Sequence, residues 1–196
     1  MRTIEILDTT LRDGAQGEGV SFSLEDKLNI TAQLCKLGIR FVEAGNPASN
    51  PKDLEFFQKA KMMDTGRTEL VAFGATRKKG ISPAEDENCR SLLLADTRWM
   101  AVFGKSWDLH VRDILRTTLE ENLAMIRDTV GFLKANGRQV IFDAEHFFDG
   151  YQRNPEYAMQ AVLAAQEAGA DRVVLCDTNG ACFPQDVEAI TRRVVE

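Results

Sequence analysis

The stretch TIEILDTTLRDGAQGEG, residues 3–19, opens with a short apolar alternation and runs straight into a polar turn. TIEILD (3–8) reads as a strand, because apolar and polar residues alternate with period two. The twelve residues from Asp8, DTTLRDGAQGEG, hold three acidic residues, one arginine and three glycines. Such a segment is either a plain polar turn or a ligand site at the carboxyl end of a strand. The rest of the chain decides between these, because the same strand-then-polar-turn order recurs.

SLEDKLNITAQLCKLG (23–38) predicts a helix with Ser23 as cap, Asp26 closing a weaker capping box and Gly38 as stop. IRFVEAG (39–45) predicts a second strand. PKDLEFFQKAKMM (51–63) predicts a helix with Asn50 as cap and Pro51 at its first position. ELVAFGAT (69–76) is a third strand, SPAEDENCRSLLLAD (82–96) a helix, and RWMAVFGKS (98–106) a fourth strand. A short helix in WDLHVRDIL and a long one around 119–135 follow. The long one carries Leu119, Leu123, Ile126, Val130 and Leu133 as its apolar face. RQVIFDAEHF (138–147) is a fifth strand, NPEYAMQAVLAAQEAGA (154–170) a helix, DRVVLCDTNG (171–180) a sixth strand and PQDVEAITRRVVE (184–196) a helix.

Six strand–helix units in this order imply an α/β fold with parallel strands covered by helices. An open doubly wound sheet and a barrel both fit. No G-x-G-x-x-G follows the first strand, which removes support for a dinucleotide fold. A (β/α)8 TIM barrel takes roughly 250 residues, and the chain has 196. The expectation is therefore a partial (β/α)8 barrel with about six of eight units. Residues 1–196 would form the N-terminal portion of a catalytic domain.

Composition narrows the class. The net charge of −6 lacks the basic footprint of a nucleic-acid binder. No apolar leader opens the chain and no run approaches a membrane span. The four cysteines, at 35, 89, 176 and 182, form no Cys-x-x-Cys pair, so reduced thiols and a cytoplasmic location are expected. Cys35 and Cys176 lie in apolar contexts and read as buried; Cys182 follows a glycine turn and reads as more exposed.

Polar groups collect at the strand exits: Asp8, Arg12 and Asp13; Glu43 and Asn46; Thr76 and Arg77; Lys105 and Ser106; Asp143, Glu145 and His146; Asp177, Thr178 and Asn179. The opposite turns are mostly single-glycine stops such as KLGIR and EAGAD. In a parallel fold the exits share one edge, where such enzymes build their sites. Asp13 is a candidate ligand for a hard divalent metal; its plainer role is an Asx-turn or an ion pair with Arg12. Arg12 suits a carboxylate or a developing oxyanion. Glu145 and His146 are adjacent, so only one faces the site unless the strand has ended. His110 stands at helical spacing from Trp107, with a structural and a functional role equally open. The chain contains no His-x-His and no His-Glu-x-x-His, so a metal site here needs oxygen donors or residues beyond 196.

DTTLRDGAQ with EGVSFS resembles the opening of the TIM-barrel metalloenzyme superfamily that includes isopropylmalate synthase, homocitrate synthase and HMG-CoA lyase. FVEAGNPASNPKDLEFF, VFGKSWDLHV, TTLEENLAMI, VIFDAEHFFDGY and VVLCDTNGACFP are most similar to its citramalate synthase branch. The resemblance runs over residues 3–184. It implies an acyltransferase of amino-acid (isoleucine) biosynthesis, joining acetyl-CoA to a 2-oxo acid, pyruvate, by Claisen-type condensation. It also implies a divalent metal (Mg, Mn or Zn) and a homodimer. Asp13 would ligate the metal, with the other ligands beyond residue 196. Arg12 would stabilise the oxyanion, Gln16 and His146 would line the substrate pocket, Glu145 would act near the nucleophile and Thr178 would hold the oxo-acid carboxylate. Isopropylmalate synthase, homocitrate synthase and acyl-CoA lyase activities are the alternatives inside the superfamily; a non-catalytic truncated barrel is the alternative outside it. The sequence departs from the branch at Asn46 and Ala48, where Trp-Pro-Gly is usual, and at Ala181–Cys182, where Gly-Thr is usual.

Overall fold

The computed structural model describes residues 4–196, so Thr3 of the first expected strand lies outside the described residues. A six-stranded sheet runs in sequence order, β1-β2-β3-β4-β5-β6. This is the α/β fold of a partial (β/α)8 barrel: each strand is followed by at least one helix, and neighbours in sequence are neighbours in the sheet. The chain divides into two compact units. One comprises residues up to Gly74 together with Glu87–Ala101; the other comprises Ala75–Asp86 with Val102–Glu196.

The first unit contains β1 (Leu7–Asp8), α1 (Leu24–Lys36), β2 (Phe41–Gly45), α2 (Pro51–Ala60), most of β3 (Glu69–Ala75), α3 (Glu87–Ala95) and the start of β4 (Trp99–Lys105). The ladders β1–β2 and β2–β3 are parallel, with Leu7 opposite Phe41 and Phe41 opposite Glu69. β1 is shorter than the expected strand 3–8. α1 begins as its sequence requires. The Ser23 side chain accepts from the Asp26 N–H, and the Asp26 carboxylate accepts from the Ser23 N–H at 2.8 Å, a complete capping box. Asn50 caps α2 by accepting from the Lys52 N–H. The core gathers Val42, Phe56, Phe57, Val71, Leu92 and Met100, with the rings of Phe41 and Trp99 edge-on at 4.9 Å. Burial of each large apolar side chain contributes roughly 1.5–3 kcal/mol. Gly74 is a close-approach glycine: a Cβ there would lie 3.1 Å from a Leu92 methyl.

The helix expected over 82–96 starts only at Glu87. Ser82–Asp86 is a turn, because the Asp86 carboxylate accepts from the Lys78 N–H at 2.9 Å and is buried there. A helix N-terminus at Ser82 would turn that carboxylate elsewhere.

The second unit contains the end of β4, α4 (Asp108–Asp113), α5 (Leu119–Ala135), β5 (Gln139–Glu145), α6 (Phe147–Arg153), α7 (Pro155–Glu167), β6 (Arg172–Leu175) and α8 (Pro184–Val195). β5 and β6 pair in parallel, with Ile141 opposite Arg172. Thr118 caps α5 and Asn154 caps α7. α5 buries Ile126, Val130 and Leu133 of its expected face, while Leu119 and Leu123 are half-buried, and Asn122, Met125 and Thr129 are buried on it too. Asn122 Nδ2 donates to the Lys105 carbonyl at 2.8 Å and to the Tyr157 hydroxyl at 2.7 Å. Burial raises the Tyr157 phenol to about 12, against the hydrogen bond from Asn122, so it is neutral at any physiological pH.

The fifth strand expected over 138–147 ends at Glu145, and the helix α6 that follows was not expected. The sixth strand, expected over 171–180, ends at Leu175. Cys35 and Cys176, expected to be buried, are half-buried, and so is Cys182; Cys89 is the buried thiol. No helix of the described residues is long and apolar enough to cross a membrane. Neither Ala48 nor Ala181 has positive φ, so the two departures from the branch pattern carry no backbone strain.

Candidate active site

In the first unit the turn after β1 is wound on a single carbonyl. Thr9 O accepts from the N–H groups of Arg12, Asp13 and Gly14 at 3.1, 2.9 and 3.1 Å. The Asp8 carboxylate accepts from the Thr10 N–H at 3.0 Å, and Leu11 is fully buried beneath. This winding lifts Arg12 over the exits of β2 and β3. Its Nε donates to Glu43 Oε1 at 2.5 Å and a terminal nitrogen donates to Asp13 Oδ1 at 2.8 Å. The guanidinium carbon stands 3.9 Å from the centre of the Phe73 ring. Three contacts therefore fix the guanidinium plane.

Glu43 is fully buried, and its Oε2 has no hydrogen-bond partner among the described residues. Desolvation pushes its pKa above the ordinary carboxyl value, and the charge and hydrogen bond of Arg12 oppose that shift. The Asp13 side chain is 62% exposed. A cavity of about 260 Å³ lies beside the arginine, lined by Arg12, Gln16, Phe22, Lys27, Asn46 and Lys52 among others. Its wall is anchored from within. Buried Lys27 pairs with buried Asp53 and donates to the Ala44 carbonyl at 2.8 Å. Asp53 Oδ2 in turn accepts from the Asn46 N–H at 2.8 Å. Gly45 allows this approach: a Cβ there would sit 2.5 Å from the Asp53 carboxyl carbon.

In the second unit, Lys105 at the β4 exit pairs with Glu145 at the β5 exit. The Ser106 hydroxyl donates to the Glu145 carbonyl at 2.7 Å. His146 has φ 55° and ψ 35°, the left-handed region, and so ends β5. Its N–H donates to Thr178 Oγ1 at 2.9 Å, and its Nδ1 lies 3.0 Å from Asp149 Oδ2. Asn179 Nδ2 donates to the same Asp149 oxygen at 3.0 Å. The His110 ring meets the His146 ring edge-on at 4.5 Å and lies 4.7 Å from that of Trp107. His110 Nδ1 is buried without a partner among the described residues. Burial, then the neighbouring His146, lowers the His110 pKa below 6.5. The ring is therefore neutral at pH 7.

Arg12, Asp13 and Gln16 thus come together in the first unit, and Glu145, His146 and Thr178 in the second. Because β5 has ended at Glu145, the choice between Glu145 and His146 does not arise. Arg77, expected in the polar rim, turns away: it is buried and binds Asp128 and Glu121 of α5 at 2.7 and 2.8 Å. Asp143, also expected there, is buried within β5. Sequence reasoning placed Glu43 at a strand exit without a specific role, and gave none to Lys27, Asp53 or Asp149. Asp149 stands three residues after His146, the spacing of one helical face, a signal readable only once a helix is placed at 147. Among the described residues no group of three or more His, Cys, Asp and Glu is arranged to hold a metal ion, and Asp13 already accepts from Arg12. The residues described do not by themselves fit a divalent cation.

The comparisons agree with this fold and with the sequence. The (R)-citramalate synthase of Aquifex aeolicus is 56% identical over 98% of the chain, and that of Sulfolobus acidocaldarius 50% identical over 99%. The chain spans 37% of the length of each. A probable 2-isopropylmalate synthase of Ignicoccus hospitalis is 35% identical over 99% of the chain and 46% of its own length. Among solved structures, the HMG-CoA lyase of Bacillus subtilis superposes with a TM-score of 0.78 at 18% identity, covering 98% of the chain and 64% of its own. An Acinetobacter baumannii HMG-CoA lyase in complex with coenzyme A and 3-methylmalate gives 0.75 at 19%, covering 97% and 62%. These structures share the fold, and the sequence assigns the lineage: it matches the HMGL-like family over residues 3–196, and the chain belongs to that family.

Proposed function

We propose that the protein carrying this chain condenses acetyl-CoA with pyruvate to give (R)-citramalate and CoA, as an acyltransferase acting as a homodimer. The observation that carries the reading is the gap in identity: 56% to a citramalate synthase against 35% to an isopropylmalate synthase, each over nearly the whole chain. The geometry supports it. A guanidinium held on Glu43, Asp13 and Phe73 keeps its plane without reorganising, as stabilisation of a developing oxyanion requires. Gln16 lines the same cavity. In the second unit the Thr178 hydroxyl serves to hold the oxo-acid carboxylate, the His146 ring lines the pocket, and Glu145, steered by Lys105, acts near the nucleophile.

A divalent metal (Mg, Mn or Zn) belongs to the proposal, with Asp13 as one carboxylate donor and the remaining ligands beyond residue 196. When bound it would supply Lewis acidity at the ketone. The described residues do not complete such a site.

Free CoA release from acetyl-CoA on adding pyruvate, in the presence of Mg²⁺ or Mn²⁺, tests the reading with the intact protein. Pyruvate-dependent release is expected, with lower turnover on 2-oxoisovalerate and 2-oxoglutarate. No release with pyruvate, or faster release with a longer oxo acid, overturns it.

A further inference from the structure

Among the described residues His146 is one of three non-glycine residues with positive φ, and its own amide and the next both bond to the β6 exit. The His146 N–H donates to Thr178 Oγ1 at 2.9 Å, and the Phe147 N–H donates to the Cys176 carbonyl at 3.1 Å. An extended residue at 146 would alternate these directions and send one amide away from the β6 exit. The left-handed turn is what lets both amides reach that loop. A hydroxyl has one hydrogen to give and two lone pairs to receive. With one lone pair taken by the His146 amide, the hydroxyl hydrogen of the exposed Thr178 is left to meet a ligand.

A β-substituted residue adopts this conformation at a cost, so surrounding contacts must hold it. They do: Nδ1 of His146 meets Asp149 Oδ2, which Asn179 also donates to, and the His110 ring packs edge-on against the imidazole.

We propose that His146 is a positioning residue whose left-handed backbone, held through Asp149, aims the Thr178 hydroxyl at the carboxylate of the bound 2-oxo acid. The inference rests on the oxo-acid reading above. It assigns His146 a duty beyond lining a pocket.

The test compares His146→Gly with His146→Ala in the intact protein. Both lose the ring and its Asp149 contact, and they differ in how readily they hold positive φ. His146→Ala should raise the KM for pyruvate about tenfold over His146→Gly, with kcat within about threefold. His146→Asn, which tolerates the left-handed region, should stay on the glycine side. Equal KM values for the alanine and glycine variants overturn the inference.

A second arm needs no activity. Amide hydrogen exchange at His146 should be at least about tenfold faster in Thr178→Val than in the wild type, because the acceptor is gone. Unchanged exchange also overturns the inference. If the wild type releases no CoA with pyruvate, the functional reading fails, and the exchange arm still decides whether His146 fixes the hydroxyl.

Discussion

Glu43 sits in β2 with the Arg12 guanidinium across it. Its carboxylate is fully buried with one oxygen unpartnered among the described residues, and Arg12 is its counter-ion. Truncation in Glu43→Ala strands the guanidinium against Phe73. It should cost about 3 kcal/mol in denaturant unfolding, toward the lower end for breaking a buried pair, because Asp13 still accepts from Arg12. The pH dependence follows from the raised pKa. The folded state holds the Glu43 proton more tightly than the unfolded state does, so its contribution is fully present below 4.5 and is lost as pH rises through the higher folded-state value. Glu43→Gln should remove that slope when unfolding is followed between pH 4 and 8. His110 runs the opposite way. Its pKa is lowered, so its contribution is present above 6.5 and is lost as pH falls through the folded-state value. Its imidazole resonance in NMR should titrate below 6.5 and move upward when His146 is replaced by asparagine. The identities of Arg12 and Asp13 were legible from residue type at a strand exit. The partnership of Arg12 with Glu43 was not, because it joins positions 31 apart through a turn whose winding depends on one carbonyl.

At the scale of elements, capping chemistry was the most legible layer. Ser23 and Asn50, read as caps from the sequence, stand as caps, and Thr118 and Asn154, given no such reading, cap α5 and α7, since each side-chain oxygen satisfies an otherwise orphaned amide. Asn154 does more than cap: its Nδ2 also donates to Asp108 Oδ2 of α4 at 3.1 Å. Asn154→Ala should therefore cost about 1–2 kcal/mol of stability by thermal or chemical unfolding, the upper range for a cap. Two elements were misplaced for one physical reason. At 82–86 the Asp86 carboxylate accepts from the Lys78 N–H, and at 146 the backbone N–H donates to Thr178 Oγ1 of the β6 exit; local propensity loses to such contacts. Asn122 and Thr129 escaped the apolar pattern of α5 because each finds partners inside: Asn122 through its Nδ2 as above, and Thr129 by donating to the Met125 carbonyl and accepting from the Arg77 N–H.

For the molecule as a whole, the succession of strands and helices was legible because each unit carries its own period switch and stop. Of the two tryptophans, Trp99 belongs to one compact unit and Trp107 to the other, while strand β4 contributes residues to both. A strand that belongs to both units favours a single cooperative transition. Fluorescence of Trp99→Phe and Trp107→Phe variants in denaturant should therefore give transitions of coincident shape, each displaced only by the stability change of its own substitution. A second transition seen by only one tryptophan would show separate unfolding. The site could not be read at this scale: the sequence lists polar exits, but which of them turn inward depends on contacts such as those that draw Arg77 onto α5.

Gly150 has a last consequence. A Cβ on it would stand 2.7 Å from the Ser106 carbonyl oxygen and 2.9 Å from the Trp107 Cα, so α6 lies against the β4 exit backbone to backbone. Asp149 is the preceding residue. The Cα that carries the carboxylate steadying His146 is therefore located by main chain, and the two remaining side-chain torsions of Asp149 are held by His146 Nδ1 and Asn179 Nδ2.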